Sequence, residues 1–570
     1  MNTSTPLLAQ RQRLTEQLYQ APYDLYLYLD RVKCYEDLGF PDLAAGDAYK
    51  ALLLTDEAQD ESGEYHAQAL EAVEAFGDPQ LKECTSNRNG DHNGELHNGE
   101  KADYQAPYKD AIKVSALASF RMLSSNLLRC GCLRSALDYC LRGLQLNPSD
   151  IFLTGQRTRI LERNRQAQLQ RDPKWDESLF DFKNDLPDEG SVRRELYPWN
   201  VYEPDRFSSA SLSLLNAEMA TVAPKCSVLA VDLPLLIKDN STVLAATTIK
   251  QLGIFATEDI APGETVLHES SILTANNRLH DPLCDACSSE LPPISSSQPL
   301  YACPECSDVV FCSLKCHDTA LSRYHPSICG KDLDFVGRET KPKDAANALY
   351  LLLLGRTMAC AETQDLHPLE LKETKYVWGD FIHPDSTYLH SSSASSFSIA
   401  RHLPFSFTYN ILSPLHILEK MDVDIFAELQ KYDIWIFNTL YTKFRGTASA
   451  RLNTRDGKPE VCAVHPMWSL ANHSCAPNVR WEWGGEVQFW ARGRDEVVRW
   501  GPHKEEVNGK RWQGGIKKGD EILNHYCDVE LNVKERREWA VGALGGMCVC
   551  ERCTWEDVEG RTSAIKVRPV

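Results

Sequence analysis

The sequence predicts a multidomain α+β protein, a helical N-terminal region followed by a strand-rich domain that a cysteine-rich segment interrupts. Three observations predict it. Through about residue 170, apolar residues recur at spacings of three and four with few β-branched runs, the periodicity of packed helices. From Cys226 onward the texture changes to short β-like runs, "CSVLAVDLPLLI", "STVLAATTI" and "TVLHESSIL", punctuated by Gly and Pro. Between Cys284 and Cys329, eight Cys and His side chains at metal-ligand spacing fall within 46 residues.

At 570 residues, and with about 150 residues per domain, the chain has room for three or four domains. Its 61 Lys+Arg against 80 Asp+Glu give a net charge of -19. That balance argues against general nucleic-acid binding, which requires a basic footprint for phosphates. No apolar run approaches the length that spans a bilayer, and the start "MNTSTPLLAQRQR" lacks an apolar signal region. The expectation is a soluble intracellular protein, in cytoplasm or nucleus. Of 20 cysteines, 11 fall into spaced groups and 9, Cys527 among them, look scattered. In a reducing compartment clustered thiols read as metal ligands and scattered ones as small buried residues.

Residues 1–170 form the helical region. Within it "LGFPDLAAGDAYKALLLTD" and "CGCLRSALDYCLRGLQLNP" share a pattern of turn glycine and spaced small residues, and Tyr28, Tyr35, Ala44, Ala48 and Ala51 align with Phe120, Leu127, Ala136, Cys140 and Gly143. The pattern resembles a tetratricopeptide (TPR) helix pair, with a plain helical bundle as the alternative. The units stand about 92 residues apart, not one period of about 34, so an insertion separates them. Inside it "SNRNGDHNGELHNGEK", residues 86–101, has too little apolar surface to order and is predicted to be a disordered loop. Residues 171–225, with "LYPWNVYEPDRF", read as an extended connector that docks its aromatic residues.

The cysteine-rich segment runs Cys284-x2-Cys287, Cys303-x2-Cys306, Cys312-x3-Cys316, His325-x3-Cys329. Short Cys-x2-Cys turns present two sulfurs at the spacing of a tetrahedral zinc site, and eight ligands make two sites. So little apolar sequence lies between them that metal would supply the missing folding free energy, on the order of 10 kcal/mol per site. The series resembles a MYND finger at every step. That resemblance implies interleaved sites, Cys284, Cys287, Cys312 and Cys316 on one zinc and Cys303, Cys306, His325 and Cys329 on the other. It also implies a proline-containing peptide or other protein partner.

Farther on stands "ANHSCAPN", Ala471 to Asn478, four consecutive polar residues that make poor core. It is accompanied by "KQLGIFATEDIAPGE" upstream, and by "GDEILNHYCD" and "CVCERC" downstream. Together these resemble the SET domain of protein lysine methyltransferases, and a SET domain split by a MYND finger resembles the SMYD family. The resemblance implies a SET domain in two parts, 226–283 and 461–530. Between them would lie the finger at 284–329 and a helical insertion at 330–460, and a cysteine-rich post-SET segment with the tail would fill 531–570.

The same resemblance implies transfer of a methyl group from S-adenosylmethionine to a lysine side chain of a protein substrate. Gly253, Asn472, His473 and Tyr526 are carried over as cofactor contacts, with Tyr526 also as the catalytic residue that orients the amine. Cys475 is carried over with Cys548, Cys550 and Cys553 as a third zinc site, making about three ions in all. A capped turn with a core histidine, or a core tyrosine ending a strand, is the bland alternative at these positions.

Two positions depart from the family. Gln251 stands where a glycine is usual, and Gly546, followed by Met547, where an aromatic residue commonly covers the adenine. A side chain at Gln251 either crowds the pocket or points outward, and Gly546 points to a weaker cofactor site, so a catalytically weak or inactive SET/MYND/TPR scaffold that recruits partners is the rival to the enzyme. Two segments are candidates for substrate choice, the insertion with its Ser-rich "HSSSASSFS" and a charged hairpin tip over residues 491–515, for which a solvated loop is the favoured reading.

Overall fold

The computed structural model describes residues 4–76, 106–182, 184–193, 196–234, 248–279, 282–293, 295–306, 308–379, 402–501, 514–544 and 546–563. The predicted disordered loop at 86–101, the Ser-rich segment and residues 502–513 of the hairpin tip lie outside the described residues. The chain divides into two compact units, Met1–Arg193 with His402–Phe437, and Arg194–Arg401 with Asn438–Val570. Among the described residues no helix is long and apolar enough to cross a membrane.

The first unit holds α1 (Ser4–Gln20), α2 (Leu25–Leu38), α3 (Pro41–Gln59), α4 (His66–Phe76), α5 (Ala106–Cys130), α6 (Leu133–Leu146) and α7 (Ile151–Arg171). Asp24 starts α2 by accepting the Tyr26 and Leu27 amides, and Gly39 ends it at φ 81, a left-handed cap that glycine adopts without strain. The spaced small residues let helices approach closely. Ala44, Ala48 and Ala51 are fully buried, as are their counterparts Ala136 and Cys140. A Cβ on Gly143 would come 2.6 Å from Leu153 Cδ1 and 2.9 Å from Phe120 Cβ.

Besides the helices, this unit takes in Glu189–Arg193 and His402–Phe437. The supposed connector contributes the strand Glu189–Arg193, which pairs antiparallel with His402–Ser406. It also contains the helix Ser209–Val222, so it is not simply extended. Asp433 belongs to the first unit because of charge. Arg31, with no exposed side-chain surface, makes a bidentate pair with Asp47 at 2.7 Å and reaches Asp433 at 3.2 Å. Thr15 and Arg11 complete the network. A guanidinium so buried is tolerable only because two carboxylates compensate it.

The second unit is built on short sheets. Cys226–Pro234 pairs antiparallel with Thr248–Ala256. Thr265–Ser270, Glu486–Ala491 and Val479–Trp483 form one three-stranded sheet, and Thr274–Asn276, Pro459–Val464 and Ala448–Leu452 another. Ala448–Leu452 is thus a sheet strand and not part of a helical insertion. A core between the Cys226–Ala256 strand pair and the first three-stranded sheet gathers Leu252, Ile254, Leu267, Val479, Phe489 and Ile522, closed by Leu215 and Met219 of the helix Ser209–Val222. The cysteine-rich segment folds as a minimal hairpin, Tyr301–Ala302 with Val310–Phe311, and the helix Leu314–Arg323. Arg356 fastens it to the helix Ala345–Gln364, lying 3.6 Å over the Tyr324 ring and donating to the Asp285 carbonyl at 2.8 Å.

Removing one partner of the buried Arg31 network strands a charge in the interior. Asp47→Ala is expected to lower the unfolding free energy of the first unit by about 3–5 kcal/mol, read from urea unfolding by circular dichroism. Asp30→Ala, which breaks only the exposed pair with Lys33, should change it by less than about 1 kcal/mol.

Candidate functional site

The site residues are assembled by two very short strands. Asn472–His473 runs parallel to Leu523–Asn524, Asn472 opposite Leu523 and His473 opposite Asn524. Asn478 secures the crossing: its side-chain amide donates to the Glu521 carbonyl at 2.7 Å, and its Oδ1 accepts the Leu523 amide at 2.8 Å. The Ser474 amide donates to the Asn524 carbonyl at 2.7 Å. The polar run that made poor core is therefore a backbone crossing whose side chains replace missing ladder bonds.

Asn472 Nδ2 donates to the Leu252 carbonyl at 3.1 Å and to Glu521 Oε1 at 2.7 Å. Gly253 lies beneath this pair. A Cβ there would meet Glu521 Oε1 at 2.6 Å and Asn472 Nδ2 at 3.0 Å. The glycine makes room for the carboxylate. Glu521 is half-buried, and burial raises its carboxyl above the ordinary range while the Asn472 hydrogen bond opposes the shift.

Tyr526 donates its hydroxyl hydrogen to the Ala471 carbonyl at 2.7 Å, and its main-chain amide donates to His473 Nδ1 at 3.0 Å. Burial first, and the Glu521 charge second, hold the phenol above its ordinary value. Since His473 Nδ1 accepts, Nε2 carries the proton, and it faces Cys475 Sγ at 3.3 Å. Burial pushes this imidazole down to about 4, so it is neutral. Both ring nitrogens are engaged within the protein, and His473 links Tyr526 to a thiol cluster.

That cluster and two others are brought together as four-ligand groups, Cys284/Cys287/Cys312/Cys316, Cys303/Cys306/His325/Cys329 and Cys475/Cys548/Cys550/Cys553, the ligand atoms of each within 4.8 Å of one another. Cys303 and Cys329 sulfurs stand 3.8 Å apart, Cys306 Sγ lies 3.5 Å from His325 Nε2, and Cys475 Sγ lies 3.3 Å from Cys553 Sγ. These sets suit a tetrahedral, thiolate-preferring ion such as zinc. Arg536, fully buried, reaches Cys553 Sγ at 3.6 Å and pairs with Glu556 at 2.6 Å, the kind of cation a thiolate cluster needs around it. Cys527, which looked scattered, joins His473 and Cys475 in a further group.

Sequence reading missed Glu521, Asn478 and the walls of a cavity of about 470 Å³ beside Tyr526. The walls are Trp468, Trp481, Trp483, His525 and Trp539, with the backbone from Gly446 to Ala450 along one side. Trp468 and Trp481 meet edge to face at 5.3 Å. The signal was present in "VRWEW", where strand alternation puts Trp481 and Trp483 on one face. Of the two departures, Gln251 sits opposite Val231 in the strand pair and is half-buried, and Gly546 is buried.

No curated protein matches the chain. A family model does: its SET domain covers residues 251–527, a span that holds Gly253, the Asn472–Glu521 pair, Tyr526 and the inserted cysteine-rich segment. Residues 251–527 therefore carry a SET domain.

Proposed function

We propose that this chain is an S-adenosylmethionine-dependent protein-lysine N-methyltransferase. The observation that carries this reading is the position of Tyr526, its hydroxyl fixed on the Ala471 carbonyl next to the Asn472–Glu521 pair while its ring lines an aromatic cavity. When bound, the cofactor would supply a sulfonium-bound methyl to an amine lone pair, with the C–S electron pair kept by the sulfur as a neutral thioether and the extra proton on nitrogen passed to water. Tyr526 orients that amine. Because its hydrogen is held by Ala471, its oxygen lone pairs accept from the incoming N–H. The indole walls exclude water and disfavour the ammonium form, freeing the lone pair, and their faces attract the cationic side chain on the way in. Gly253, Asn472 and the His473 main chain are the residues that would hold the cofactor.

The three ligand groups are assigned to about three zinc ions, bound in a reducing intracellular compartment. Cys284–Cys329 is read as a MYND-type finger with a proline-containing peptide or other protein partner, and the N-terminal helices as TPR-like repeats. The cysteines at 548–553 tie the C-terminal helix to Cys475, and so to the site.

Three outcomes follow from this reading. Methylation of a cell extract with tritiated donor should label protein bands, and Tyr526→Phe should reduce the labelling rate about 10²-fold, within the range for loss of an orienting polar group. Equal labelling would remove Tyr526 from its role, and no labelling by wild type would leave the scaffold reading. Metal analysis of wild type should give about three zinc per chain, and Cys475→Ser about two. His473→Ala should weaken zinc retention at this third centre against a chelator by about 10-fold, the usual cost of losing a hydrogen bond to a metal ligand. His473→Gln, which keeps a donor, should restore most of it.

A further inference from the structure

The donor side of the site contains one charge that the proposed chemistry has not used. Glu521 is a half-buried carboxylate with no cation paired to it among the described residues. The neighbouring acids differ. Asp259 has Lys517 at 2.8 Å and the Lys518 amide at 2.9 Å, and Glu264 has Lys225 at 2.6 Å. Lys517, close in sequence to Glu521, thus serves another acid on the surface.

Everything around Glu521 orients it without neutralising it. Asn472 divides its two amide hydrogens between Glu521 Oε1 and the Leu252 carbonyl, so it fixes the carboxylate but brings no positive charge. Gly253 gives up its side chain to the same oxygen. The Glu521 main chain is held separately, its carbonyl by Asn478 and its strand position by Phe255. Buried carboxylates are ordinarily compensated. One that is held open and uncompensated is complementary to a cationic ligand.

Resting on the methyltransferase reading, we infer that Glu521 is the counter-charge for the sulfonium of the methyl donor, and thereby the residue by which the site prefers donor to demethylated product. Two positive groups exist on the donor, the sulfonium and the α-ammonium. The sulfonium is favoured because the Glu521 carboxylate is held by Asn472, the residue next to Ala471, whose carbonyl takes the Tyr526 hydroxyl where the methyl must be delivered. Methyl transfer abolishes the sulfonium charge and leaves a neutral thioether, so a carboxylate beside the sulfur loses its partner at the moment of reaction. It thus favours product release.

The test is calorimetric titration of the zinc-loaded full chain with S-adenosylmethionine and with S-adenosylhomocysteine, for wild type and Glu521→Gln. Glutamine keeps an oxygen to accept from Asn472 and removes only the charge, so zinc content and thermal midpoint should match wild type. Wild type should bind the methionine compound more tightly, and Glu521→Gln should lower the ratio of the two affinities by about tenfold, the size of one favourable charge pair in a partly buried site. A ratio unchanged in Glu521→Gln, with both ligands weakened equally, would place the carboxylate at the α-ammonium and overturn the inference. Loss of turnover with both affinities intact would make it a proton acceptor and also overturn it. If wild type binds neither compound, the failure lies with the methyltransferase reading itself.

Discussion

The site depends on one backbone crossing, the parallel pairing of Asn472–His473 with Leu523–Asn524. Two residues on each side are too few to hold a ladder. Isolated two-stranded pairs are marginal even at full length. What holds the crossing is side-chain substitution for strand partners, Asn478 bonding to both Glu521 and Leu523 and Asn472 bonding to Leu252 and Glu521. Once these bonds form, Tyr526 has little freedom, since its amide meets His473 and its hydroxyl meets Ala471.

Closing such a crossing brings together segments about 50 residues apart, at an entropic cost that local contacts must offset. The thiol group at Cys475 is placed to do so. Cys475 follows His473 by two residues and meets Cys548 and Cys553 from the far end of the chain. A bound metal there would act on the crossing from outside, with the His473 ring as the connecting strut. Structural ions stabilise by fixing chain segments that lack a core of their own, and the apolar group here is small: Ala540, Cys527 and the ligand cysteines themselves, with Val533 and Leu544 partly buried against them.

Much of this was legible in the sequence because it is written in residue type. Cysteine spacing marked the ligands at 284–329 and 548–553, the resemblance to known families grouped them and added Cys475, helical periodicity marked the N-terminal region, and Asn472–Cys475 stood out as four polar residues in a row where core was expected. What was not legible depends on distance in the chain. Nothing local marks Asp433 as the partner of Arg31, and nothing in the connector says that Glu189–Arg193 will find a strand more than 200 residues on. Cys527 looked scattered because its neighbours in sequence are not ligands, yet it lies with His473 and Cys475. Pairings of charge and strand edge reach across the chain, whereas periodicity reports only on neighbours.

The choice of asparagine at position 472 makes sense in the same terms. A lysine or arginine there would also reach the Glu521 carboxylate, and a charge-assisted bond is the stronger one. It would also neutralise the carboxylate permanently, leaving a closed ion pair with no electrostatic preference for anything that enters. A neutral amide fixes the geometry and leaves the charge, at the expense of a half-buried carboxyl whose ionised form burial disfavours. Stability alone would select the cation. That this fold keeps an amide against the acid, with glycine opposite to admit it, is what a site does when the missing positive charge is to come from outside the chain.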